Sequence, residues 1–417
     1  MQLKSNSFLH LTILAILSVL LILMFSNSSK NQITPEKCEE IGLPVMHIDT
    51  MAGKKINSKI NYVTAMYEAE GLSGSCKIRG HGNTTWQTRE LYKRPYLLKL
   101  NKPAPLFGME QSKKWILMAN TADKTSLRNE YSYFLARNVW NKMKWTPDAR
   151  FAAVFINGKF NGLYQVTEKI EYEKLSLPNG SFLATVNSRL NKEWNFRTSR
   201  GTKISIRMEQ KSESEYKQME QIIQNAEDVI FSPDFKSAEK GWQSVIDEDS
   251  FVDWYLINEF TKNHDAKFQA SCYFYYDSQV KKIFMGPLWD MDISCGNISY
   301  DGCQDPEGFW VSQDQWYKRL FEDEYFAGKV TERWNETKVK LLGSFTWIEN
   351  ESKNVKPFVM LNDSVWHNLG KRQWPHAPGW KNRKTYESEV DYMIDFLKKR
   401  EQWMSNAYRA NACKNSF

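Results

Sequence analysis

The chain has 417 residues, 56 basic and 49 acidic, and its net charge of +7 is spread without a long basic run, which argues against nucleic-acid binding. Aromatics form 14% of it, with 16 Trp, so it is not a disordered chain. Its six Cys show neither a CxxC pair nor a Cys/His cluster at zinc spacing, which argues against a structural zinc site.

From Phe8 to Phe25 the chain is apolar for 18 residues, and His10 is the only titratable side chain in that run. Such a length just crosses a bilayer as a helix and exceeds the usual apolar core of a cleaved signal peptide. Lys4 precedes the run and Lys30 follows it. The reading is a signal anchor over 1–25, which holds the protein to a membrane, and a polar tether over 26–42. The remainder is expected to be extracytoplasmic, in a periplasm, at a cell surface or in a secretory lumen. Cleavage near Ser26 or Ser28 is the alternative. In an exported chain the even Cys count permits three disulfides, and Cys295–Cys303, near enough in sequence to bridge a loop after the acid motif, is the first expected pair. Seven Asn-x-Ser/Thr sequons occur, Asn83, Asn179, Asn297 and Asn335 among them.

Beyond the tether, "LPVMHIDT" and "INYVTAMYEAE" read as strands, and "CKIRGHGNTTW" runs a strand into a Gly-rich turn. Two more strands follow, in "YKRPYLLKL" and "KKWILMAN". "DKTSLRNEYSYFLARNVWNKM" spaces Leu127, Tyr131, Phe134, Leu135 and Val139 as a helix that Asp123 or Thr125 can cap. "FAAVFINGKFNGLYQVTEKI" predicts a hairpin, because Asn157-Gly158 suits the positive φ angles of a type I′ turn.

The second half opens with helices. "SEYKQMEQIIQNAEDVIF" sets Tyr216, Met219, Ile222, Ile223 and Ile230 on one face, and "DSFVDWYLINEFTKN" is a buried helix capped by Asp249 or Ser250. "HDAKFQ" is a polar loop, "SCYFYYDSQVKKIFM" a second hairpin, and "ESEVDYMIDFLKKREQWM" a closing helix. Lacking repeats and Gly/Pro/Ser-rich linkers, the chain reads as one α+β domain over 43–410, with lobes at about 43–170 and 171–410.

The apolar strand "KKIFM" leads into "GPLWDMDISCGN", where Asp290 and Asp292 flank Met291. Asp is a common turn former, so a polar turn is one reading. A metal site at a sheet edge is the other. Order along the chain bears on the choice. A buried helix leads to a loop with Asp265, a hairpin follows, and Asp290 stands at its exit, which is the layout of a kinase base and its metal-holding Asp. The first half offers matching parts: Gly80, Gly82 and Asn83 in "RGHGNTT" to close over phosphates, Lys99 to pair with them, Glu168 to orient Lys99, and Arg128 to reach a phosphate. Each part alone has an ordinary reading, as a hairpin turn, a solvated lysine, a surface acid or a surface arginine.

Taken together these stretches resemble the CotH family, the spore-coat protein H-like atypical kinases. "IRGHGNTTW", "KRPYLLKL", "WILMANTADKTSLRN", "NGLYQVTEKI", "SFVDWYLINEFTKNHDA" and "GPLWDMDISCGN" are similar to that family's motifs and come in its order, over roughly residues 43 to 410. The resemblance implies an atypical bilobal protein-kinase-like fold that binds ATP with Mg2+ or Mn2+ and phosphorylates exported proteins. It implies Asp265 as the catalytic Asp, acting as base, Asp290 as a metal ligand and Asp292 as a second metal-holding or structural acid. Arg79, Lys99, Glu168 and Arg128 become nucleotide-site residues. One departure stands out: the kinase Asn five residues after the base is Ala270 here, with Ser271 next, so Asp292 or Asn297 would have to take its place. Nucleotide or amino-acid transfer on the same fold, and a non-enzymatic surface adhesion or coat-assembly module, are the alternatives. Loss of Asp265 or Asp290 would favour the last, and both are present.

Overall fold

A computed structural model describes residues 32–87, 93–186 and 194–414 of the chain. The apolar run expected to cross a membrane lies outside these residues; among the described ones, no helix is long and apolar enough to do so. The end of the stretch read as a tether is ordered. Thr34 caps helix α1 (Pro35–Glu40), and Ile33 and Cys38 are buried against the main core.

Period-2 alternation builds the first half. Strands β1 (Val45–Thr50), β2 (Val63–Ala69) and β3 (Leu72–Gly80) are followed by a short helix α2 (Thr84–Gln87). Next come β4 (Tyr96–Ala104), β5 (Ser112–Met118), helix α3 (Arg128–Asn138), β6 (Ala149–Ile156) and β7 (Lys159–Glu168). The strands close into a barrel in the order β1-β2-β3-β4-β5-β7-β6, sealed by parallel pairing of β1 with β6. Met46, Ile48, Tyr67, Ile78, Leu98, Trp115, Val154 and Val166 fill it, as alternation demands of inward positions. The predicted Asn157-Gly158 turn forms with φ of +51° and +72°, and Asn157 Oδ1 accepts the Thr50 N–H at 2.8 Å. Helix α3 starts five residues later than the spacing suggested. The Asp123 carboxylate still accepts the Arg128 N–H, at 2.9 Å.

The second half sets five antiparallel strands beside helices. The strands are β8 (Phe182–Val186), β9 (Trp194–Arg197), β10 (Lys203–Ile206), β11 (Cys272–Asp277) and β12 (Lys282–Met285), ordered β12-β11-β8-β10-β9. Helix α4 (Glu213–Ile230) begins with a Ser212/Glu215 capping box. In helix α5 (Glu248–Phe260) every residue from Ser250 onward is buried. Its cap is Asp247 rather than Asp249 or Ser250, because the Asp247 N–H bonds Ile283 of β12 and holds that residue extended. Ser250 instead accepts the Met285 N–H, tying α5 to the strand that leads to the acids. Helices α6 (Gln315–Leu320), α7 (Glu324–Trp366) and α8 (Tyr386–Lys414) complete the fold.

The architecture is therefore mixed α+β, as expected. Barrel and helical part have separate cores, and a small cluster of Ile170, Leu175, Leu183, Tyr273 and Tyr275, with Trp289 against it, lies where they meet. Lys93 crosses the same divide: its buried ammonium donates to Leu163 O at 2.5 Å and to Asn362 Oδ1 of α7 at 2.9 Å.

The expected Cys295–Cys303 disulfide does not form. Cys38, Cys76, Cys272, Cys295 and Cys303 are all free and buried. Cys295 lies beside the Arg128 guanidinium and Cys303 near Lys262 and Arg400, so each packs in its own polar surroundings. Burial pushes their thiols up, to about 11 for Cys295 and about 12 for Cys303.

Candidate active site

The turn after β12 is held from both sides. Met291 is buried, and its N–H donates to Asn129 Oδ1 of α3 at 2.9 Å. The Asn297 side-chain amide donates to Asp292 O at 2.7 Å and to Ala122 O at 2.9 Å. Its NH2 group is thus taken up by backbone, which leaves Oδ1 as its only ligand-binding atom. Between these anchors Asp290 is exposed and has a φ of +63°, a backbone strain uncommon outside Gly and typical of functional turns. The Asp292 carboxyl is pushed well above the ordinary carboxylate range, first by burial and then by the charges of Asp290, Asp265 and Asp123. Acids from three segments thus act electrostatically on Asp292.

Asp265 reaches it from the end of α5. That helix is buried over nearly all its surface, which fixes where the following 3-10 turn His264–Ala266 begins. Asn263 accepts the Asp265 N–H at 3.3 Å, and the Asp265 carbonyl accepts from Gln269 and Ala270. The carboxylate itself stays partly exposed, 3.3 Å from His264 Nδ1, while His264 Nε2 lies 2.8 Å from Asp301. Burial alone would lower the His264 pKa; the two carboxylates outweigh it and raise it. Ser271, standing near the missing kinase Asn, donates its hydroxyl to Asp290 at 3.3 Å and links the Asp265 loop to the acid turn.

Several expected nucleotide residues take other places. Arg128 is buried: its Nε donates to Ser294 O at 3.0 Å, and its Nη1 pairs with Asp123 at 2.5 Å. It therefore fastens α3 to the acid turn and is not turned toward a phosphate. Glu168 lies on the barrel's inner face, in register with Trp115, and pairs with Lys174 at 2.7 Å. Lys99 lies on the outer face opposite Lys77 and Lys114, so the pleat keeps Glu168 from orienting it.

The glycine turn has a structural cause as well. A Cβ on Gly80 would lie 2.2 Å from the Trp86 ring, and Gly82 has a φ of +78°. The Gly80 and His81 N–H groups are already bonded to Ser58 and Pro95, and the Asn83 side chain accepts from Lys59 at 2.7 Å. These two N–H groups do not form a phosphate cradle.

Cations gather beside that turn instead. Burial first, then Arg79, Lys169, Arg207 and Lys59, push half-buried His81 down to about 3. Lys99, Lys114 and Lys169 also act together on Glu209. This outer barrel face is linked to the acid turn through the junction cluster, where Ile170 follows Lys169 and Trp289 precedes Asp290. Arg207 also stands 6.0 Å over the Tyr273 ring of that cluster.

Among the described residues, no three His, Cys, Asp or Glu side chains converge as a complete metal cage. Asp290 and Asp292 remain the pair able to hold a hard divalent ion, since Mg2+ is commonly bound by one or two carboxylates with phosphates and water completing its shell. A cation there would relieve the like charges that raise Asp292. Sequence reasoning missed Asp123 and Asn129 as framing residues, along with His81, Lys169 and Arg207. Asp123 and Asn129 lay inside a recognised stretch, but local spacing offered only a capping role for Asp123.

A family model described as CotH kinase protein matches residues 77–404, from within β3 to within α8. No curated protein matches the chain.

Proposed function

The chain belongs to the CotH kinase family, and on that premise we propose that it transfers the γ-phosphoryl group of ATP to Ser or Thr of an exported protein. The observation that carries this reading is the group of Asp265, Asp290 and Asp292, linked through the junction cluster to a cationic barrel face. The barrel plays the small lobe and the helical part the large lobe. Arg79, Lys99, Lys169 and Arg207 neutralise the phosphates. Asp290 and Asp292 would hold Mg2+ or Mn2+, which would supply charge neutralisation at the phosphate oxygens. Asp265 orients the substrate hydroxyl and accepts its proton as the oxygen bonds to phosphorus. The bond to the β–γ bridging oxygen breaks, and ADP leaves with that electron pair.

The apolar run at 8–25 anchors the protein, with the catalytic part extracytoplasmic. Incubation with labelled ATP and Mg2+ or Mn2+, followed by mass measurement of the labelled protein, tests the reaction. A gain of one phosphate on Ser or Thr is expected. A gain of AMP or of an amino acid, or no labelling under any metal, overturns the reading.

A further inference from the structure

Helix α6 has two working faces. Trp316 and Tyr317 pack on Phe268, with ring centroids at 5.5 and 6.1 Å, three residues beyond Asp265. Gln315, Lys318 and Arg319 share another face at helical spacing and, with Glu322 just beyond the helix end, line a cavity of about 400 Å3. Arg200, from the turn after β9, and Phe231 close it. A cavity of this size suits a side-chain-sized group or a small ligand.

Charge defines what fits. Arg319 pairs with Glu322 and donates to Ile230 O and Ser232 O, so its charge is balanced and its position held. Among the described residues the Arg200 guanidinium and the Lys318 ammonium form no ion pair, although the Arg200 backbone N–H donates to the buried Glu227 carboxylate at 3.3 Å. The Arg200 guanidinium lies 3.9 Å over the Phe231 ring, which orients it and leaves its N–H edge available for a planar anion. The lining therefore carries three cations against one acid. Phe268, which packs on the other face of α6, belongs to the loop that carries Asp265. An acidic segment of a substrate bound near Asp265 would find complementary charge in this cavity.

We propose that the cavity docks a carboxylate or phosphate group borne by a polypeptide, away from the hydroxyl that accepts phosphate. The substrate role rests on the kinase reading above; the binding itself does not, and the test reads binding alone. A fluorescein-labelled poly-glutamate peptide is titrated onto the purified protein, with inorganic phosphate as a competing probe. The expected result is salt-sensitive binding that weakens by roughly tenfold or more in the Arg200→Glu/Lys318→Glu double variant. Both side chains are exposed, and circular dichroism checks that the fold is kept. Asp265→Asn should leave peptide binding unchanged even if it abolishes turnover. Three outcomes overturn the proposal: no binding to the wild type, equal binding to the double variant, or displacement by phosphate at concentrations matching the peptide's own affinity, which would mark a free-anion site.

Discussion

The turn at 79–83 and the turn at 286–297 look alike in sequence: each leaves an apolar strand and is rich in small and polar residues. Their structures differ in where the hydrogen-bonding groups go. In the first, backbone donors are bonded to Ser58 and Pro95, just outside the neighbouring strands, and Gly80 makes room for Trp86. In the second, the backbone is pinned by Asn129 and Asn297, while Asp290 is left exposed and strained beside other acids. A turn whose polar groups satisfy one another is architecture. One that leaves a carboxylate exposed beside other acids is a candidate place for a ligand.

The largest expected effect falls on the second turn. Asp290→Ala should abolish metal-dependent nucleotide binding while the domain stays folded; unchanged Mg·ATP affinity in calorimetry would remove its metal role. Next comes Asp265→Asn, which should keep ATP affinity within a few-fold yet slow turnover by roughly two to four powers of ten at saturating ATP and metal. Comparable rates would make Asp265 an ordinary turn acid.

Arg128 sharpens the contrast from beneath the site. Arg128→Met leaves Asp123 buried and unpaired, so denaturant unfolding should show a loss of about 3–5 kcal/mol. A variant of full stability that fails to bind ATP would restore Arg128 to the nucleotide site. For the first turn, Gly80→Ala forces a methyl against Trp86 and should destabilise by about 1–3 kcal/mol, with ATP affinity of the folded protein little changed. The opposite pattern would return that turn to phosphate binding.

The smallest effect is a pH dependence. The folded His81 pKa, about 3, lies below its ordinary 6.5, so the unfolded chain binds a proton that the folded one does not. Its contribution to stability is thus full above about pH 6.5 and lost progressively as pH falls toward 3, a slope that His81→Gln should flatten. Phosphate groups bound beside Arg79, Lys169 and Arg207 should raise this pKa, observable by NMR titration with ATP. An unmoved His81 would detach the barrel cations from the nucleotide.

Residue pattern alone determined much of this protein. Alternation placed the seven barrel strands, Asn157-Gly158 placed their last turn, and the apolar run of α5 placed Asp265 at its end, because these depend on interactions between near neighbours. The acid motif was legible for the same reason. The long helix α7 was not, since Pro357 inside it and the exposed Val339 blur its period. Strands β8 to β10 also escaped notice; β8 is buried along its whole length and shows no alternation to read.

Only tertiary structure decided which polar residues serve the site. Arg128 meets Ser294 across 166 positions, and the pleat sets Lys99 and Glu168 on opposite faces of one sheet. A charged side chain's role follows from the partners that reach it, and here they come from distant segments.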